Sequence, residues 1–149
     1  MLKNLDPMLT GPLLRVLDAM APGEWLALTA GPASGLGLNE GHTVIDLSGV
    51  AIEAAAQALL SVLPLDRSET PIAYLNETGP AGGLADGLPD VACAVCGIAA
   101  DAELRRVPMS SLCGGEFRAL AACAAATVRT DSAGVAAAFL LRKGGRAAF

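Results

Sequence analysis

The sequence predicts an α/β fold: one three-layer domain over residues 1–149, with a mixed central sheet flanked by helices. Three observations carry this. Short β-branched or apolar runs alternate with segments of helical spacing through the first half of the chain. The length of 149 residues suits one domain with a sizeable core. A hydrophobic content of 53% excludes a disordered chain.

The elements follow in order. Thr10 caps a helix that Gly11 and Pro12 begin, and Leu13, Leu14, Leu17 and Met20 recur at helical spacing. Pro22 and Gly23 end it. Trp25 to Thr29 reads as a short buried strand. Residues 30 to 41, with four glycines and Pro32, read as a loop. Thr43 to Leu47 is a second strand. Ser48 is placed to cap a helix from Val50 to about Val62, with Ile52, Ala55, Ala56, Leu59 and Leu60 inward, and Pro64 stops it. Pro71 to Leu75 is a third strand. Residues 76–90 form a Gly/Pro/Asp-rich connection. Val91 to Val95 is apolar enough for a strand, and Ala99 to Arg106 for one or two helical turns. Gly115 to about Cys123 is a helix that leads into a strand from Ala124 to Arg129. Thr130 to Gly134 reads as a turn, and Val135 to Leu141 returns as a last strand, so the end of the chain looks like a hairpin. No internal repeat is present.

Composition removes several function classes. The net charge of -5, from 10 basic and 15 acidic residues, argues against a nucleic-acid partner. No run of 18 apolar residues occurs, so no membrane span is expected. Lys3 and Asp6 interrupt the N-terminus where a secretory signal would be apolar, so the expected location is cytoplasmic. Aromatic residues are only 3%, and alanine and glycine are abundant. A core of small side chains buries less area per residue, which favours association with further copies.

Three blocks resemble the RbsD/FucU family of sugar mutarotases. The first is Met1–Met20, with Leu2-Lys3-Asn4, Asp6-Pro7, Leu9, Leu14 and Leu17. The second is Gln57–Asp66 (QALLSVLPLD), and the third is Phe139–Gly144 (FLLRKG). A weaker match runs from Glu116-Phe117 through Ala121. The resemblance implies an α/β fold, a ring-shaped homo-oligomer, and a sugar pocket at a subunit boundary. It also implies exchange of ribose or fucose anomers by acid–base ring opening, with no metal or organic cofactor.

The reacting groups that the resemblance implies are replaced. The family's Met-Gly-His-Gly-Asp segment falls on Met20 to Glu24, so its catalytic histidine is Pro22 and its carboxylate is Glu24. The aspartate of its next loop is Ala30, and a further histidine of some members is Pro32. Its arginine falls on Gly114, and the tyrosine and asparagine of its Tyr-Gly-Asn segment fall on Ala136 and Ala138. Glu24, Arg118 and His42 remain as polar groups for substrate contact.

Each remaining group has a plainer reading. His42, the only histidine, sits where a strand begins, and a partly exposed strand-edge role outweighs that of a replacement base, which would need a placed acid. Glu24 is equally a charge at a strand edge. Asp46 is a further carboxylate, and Asp66 reads as a turn residue. Cys93 and Cys96 form a CxxC, with Cys113 and Cys123 apart from it. That spacing suits neither a zinc site nor a thioredoxin-type pair well, and buried reduced thiols are the simpler expectation. The functions that compete are a sugar mutarotase, a non-catalytic structural or regulatory oligomer of the same fold, and a thiol-based redox or metal module.

Overall fold

The structure, a computed structural model, describes residues 6–30, 43–47, 49–67, 70–75, 90–112, 114–130 and 137–145. Helix α1 spans Gly11–Ala19. The Thr10 hydroxyl accepts from the Leu13 amide at 3.5 Å, and Pro12 fits the first turn, where amide donors have no partner within the helix. Leu13 and Leu17, four residues apart, form its buried stripe. Next come β1 (Trp25–Ala30), β2 (Val44–Leu47), α2 (Ile52–Leu60), β3 (Ile72–Leu75) and α3 (Asp90–Glu103). The chain continues with β4 (Met109–Leu112), α4 (Gly114–Ala122), β5 (Ala126–Thr130) and β6 (Ala137–Arg142).

The six strands form one sheet in the order β2-β5-β1-β6-β3-β4. β1 and β2 run parallel to β5, and β3 runs parallel to β4. β6 alone runs the other way, antiparallel to both β1 and β3. It therefore joins two parallel groups. β1, paired on both sides, has five consecutive buried residues from Leu26 to Ala30, as expected for a strand covered on both faces.

The two faces carry different side chains. Leu26, Leu28, Ile72, Tyr74, Phe139 and Leu141 pack beneath helices α1, α2 and α3. On the opposite face Ala27, Ala73, Ala138 and Leu140 meet α4 through Phe117 and Ala121. The result is three layers, with alanines where α4 approaches the sheet closely.

The end of β6 ties the amino end of the sheet together. The Lys143 ammonium donates to the carbonyls of Leu17 at 2.6 Å and Met20 at 2.7 Å, so a cation closes the carboxyl end of α1. The Lys143 amide donates to Glu24 O, and the Gly23 amide donates to Lys143 O. Gly23, at φ +92°, makes the turn that this exchange requires. Arg142 pairs with Asp66 at 3.3 Å and lies over the Trp25 ring at 5.6 Å. Gly144 donates to Pro64 O, and any Cβ there would lie 2.5 Å from Leu65 O.

Several expectations are corrected. Val91 to Val95 is not a strand, because the whole of Asp90–Glu103 is one helix. A five-residue apolar run does not separate strand from buried helix, and the 3.6 period decides. Ala92, Val95 and Ala99 are fully buried on one side while Cys93 is exposed. Met109–Leu112, which has little strand propensity, pairs at the sheet edge through β3. The last two strands form no hairpin, since β1 lies between β5 and β6. The α2 N-cap is Ala51, with no side-chain cap, and Ser48 lies outside the described residues. Asp66, read as a turn residue, forms the ion pair with Arg142.

Leu104 takes the left-handed conformation (φ 56°) after α3, with the Arg105 amide donating to Ala100 O, and its side chain is 90% exposed. Replacing Leu104→Gly relieves this strain and should raise stability by about 0.5–1 kcal/mol, read in denaturant melts. Gly144→Ala drives a Cβ into backbone, which cannot yield like a flexible side chain. It should cost about 2–3 kcal/mol and lower the melting temperature by roughly 5–10 °C.

Candidate functional site

In open α/β sheets, ligands gather outside the carboxyl ends of the strands, where neighbouring connections diverge. Here β1 leads toward the β2 side of the sheet and β3 toward the β4 side, with β6 between them. The carboxyl ends of β1 and β3 and the beginning of β6 therefore mark the candidate site. Ala30 pairs with Ala137, Thr29 with Ala138, and Tyr74 with Phe139.

The positions singled out in the sequence divide between the two ends of β1. Ala30 and Ala138 are buried at the carboxyl end, and Gly114 opens α4 just past the end of β4. Pro22 and Glu24 lie at the amino end, before Trp25. The six residues of β1 span roughly 17 Å, so a single chain does not bring Pro22 and Ala30 into one pocket. Glu24 has a local role, its carboxylate accepting from the Ala21 amide at 2.6 Å. Arg118 is exposed on α4. Asp46 on β2 is the register partner of Arg129 on β5. His42, Pro32, Ala136 and Cys113 lie outside the described residues, as do 76–89 of the Gly/Pro/Asp-rich connection, whose last residue, Asp90, begins α3.

The cysteines depart from expectation. Cys93 and Cys123 are exposed rather than buried, and Cys96 is half-buried with its thiol donating to Val107 O at 3.4 Å. No group of three His, Cys, Asp or Glu suited to a metal occurs among the described residues.

Two groups that the sequence reading did not single out stand at the carboxyl end. The hydroxyls of Thr29 and Tyr74 are buried and make no hydrogen bond. Each belongs to the penultimate residue of its strand, β1 or β3. Each occupies one face of the sheet, since their partners Ala138 and Phe139 are consecutive on β6. The signal open to sequence reading was a polar residue near the end of an otherwise apolar strand.

Tyr74 is 4% exposed, and its ring lies 6.4 Å from that of Phe139. Burial raises its pKa above the ordinary tyrosine value, and the nearby Cys93 thiol adds to the rise. Ser111, the register partner of Tyr74 on β4, pulls the other way by favouring the phenolate. Its geometry gives the neutral hydroxyl no hydrogen bond.

Tyr74 is the only tyrosine, so tyrosinate absorbance reads it directly. It should ionise near pH 10 in the unfolded chain and higher in the folded one. The raised value contributes stability that is complete below the unfolded pKa and lost as pH rises through the folded one. Tyr74→Phe should therefore lose less stability than the native chain as pH rises above about 10, measured by melting at each pH.

No protein-family model matches the chain, and no curated protein matches it either. Solved structures do. One is Atu2016, a candidate sugar-binding protein, at 29% identity and TM-score 0.85, covering 99% of this chain and 97% of that one. The fucose mutarotase of Streptococcus pneumoniae, solved with L-fucose, matches at 23% identity and TM-score 0.78, over 98% and 100%. RbsD of Bacillus subtilis, solved with D-ribose, matches at 19% identity and TM-score 0.68, over 97% and 98%. Among the described residues no helix is long and apolar enough to cross a membrane.

Proposed function

Since this chain has the fold of the RbsD/FucU family, we propose that it binds a monosaccharide at the carboxyl end of its sheet without the acid–base pair that anomer exchange demands. The observation that carries the reading is the 29% identity to a candidate sugar-binding protein along nearly the whole of both chains. The more distant mutarotase and RbsD share the fold, and their bound sugars, L-fucose and D-ribose, are the natural first ligands to try.

The chemistry supports binding over turnover. Opening a hemiacetal needs one group to take the anomeric proton and another to give a proton to the ring oxygen. Proline at 22 and alanine at 30 exchange no protons, and the Glu24 carboxylate is engaged by its own turn. Hydroxyl and backbone groups at the carboxyl end still suit a neutral sugar, which offers donors and acceptors but no charge.

Assembly belongs to the same proposal. Pro22 and Glu24 stand a strand's length from Ala30, so a pocket that includes both ends draws them from two copies in a homo-oligomer. The abundance of alanine and glycine, whose small side chains bury little area within one chain, supports association. The alternative, a structural or regulatory oligomer that binds no sugar, is favoured by the same missing acid–base groups.

Calorimetry with L-fucose and D-ribose, together with saturation-transfer NMR of anomer exchange and mass measurement of the assembly, tests the reading. The expected result is binding of at least one sugar, exchange no faster than in buffer, and a discrete oligomer. Exchange well above the buffer rate would show a working acid–base pair and end the proposal. A stable oligomer that binds neither sugar would select the structural alternative.

A further inference from the structure

A buried hydroxyl without a partner loses its bonds to water and gains nothing in return, so folded proteins rarely keep one. This chain keeps two at the same end of the sheet, Thr29 and Tyr74, on the strands that flank β6. Phenylalanine at 74 would supply the same packing against Phe139 without the polar penalty. The Tyr74 oxygen makes no hydrogen bond in this geometry, which leaves a ligand as a group it is placed to meet.

We propose that the Tyr74 hydroxyl is a sugar-binding group, donating a hydrogen bond to a hydroxyl or ring oxygen of a neutral monosaccharide seated over the carboxyl end of β3 and the beginning of β6. This rests on the sugar-binding reading above and names a residue for it. The surroundings fit. Ser111 on β4 stands beside Tyr74 in register, and Cys93 in the first turns of α3 lies close enough to act on it electrostatically. A phenol is neutral at physiological pH, so it retains the proton that it must donate.

The experiment compares the native chain with Tyr74→Phe in calorimetric titrations with L-fucose and D-ribose, beside thermal melts with and without sugar. The expected result is about tenfold weaker binding for one lost hydrogen bond, with a sugar-free melting temperature no lower than native. Added sugar should raise the native melting temperature more than that of the variant. Equal affinity in the two proteins would overturn the role of Tyr74 while leaving sugar binding intact. A variant that melts well below native would overturn it too, by showing that the hydroxyl serves the fold. Failure of the native chain to bind either sugar would remove the sugar-binding reading, and this inference with it.

Discussion

Strand β6 is the constraint on which the architecture turns. It is the one strand that runs against the others, and it alone pairs with both β1 and β3. Without it the sheet would be two separate parallel groups, β2-β5-β1 and β3-β4. Its last residues secure the amino end, where Lys143 closes α1, Arg142 meets Asp66 and Trp25, and Gly144 fits against Leu65. Its first residues stand between the two unpartnered hydroxyls at the carboxyl end. Stability and the candidate site are thus built at opposite ends of the same strand.

This division explains what could be altered during divergence. The amino end depends on specific atoms: an ammonium reaching two carbonyls, and a glycine that no larger residue replaces without backbone movement. The carboxyl end depends on small side chains and backbone pairing, which alanine satisfies as well as a reacting residue does. Alanine at 30 and 138 keeps full strand pairing with β6 and β1. A fold can therefore persist while the chemistry at one edge changes.

The sequence revealed most of the frame. Helix α1 was legible because Thr10, Pro12 and the Leu13/Leu17 stripe agree at every level, from cap to buried face. β1 was legible from its apolar run and α2 from its inward stripe of Ile52, Ala55, Ala56, Leu59 and Leu60, although the α2 cap was not. The CxxC segment misled because its five apolar residues suit strand and helix equally, and only the burial of Ala92, Val95 and Ala99 settles the period. β4 was hidden because Ser110 and Ser111 have weak strand preference and are held by pairing with β3. The place of β1 between β5 and β6 was also hidden, since adjacency in sequence says nothing about a strand inserted from elsewhere. At the site, the positions lacking reacting groups could be read from the family blocks. Tyr74 could not, because an unmet hydrogen bond is a property of packing and not of spacing.

The account is tested most directly by a crystal structure of the protein grown with L-fucose or D-ribose. It should show the ring over the carboxyl ends of β1 and β3 and the beginning of β6, with the Tyr74 oxygen at hydrogen-bonding distance, about 2.7 Å. No ionisable side chains should stand at both the anomeric hydroxyl and the ring oxygen. A sugar held between such a pair, or seated away from this end of the sheet, would contradict it.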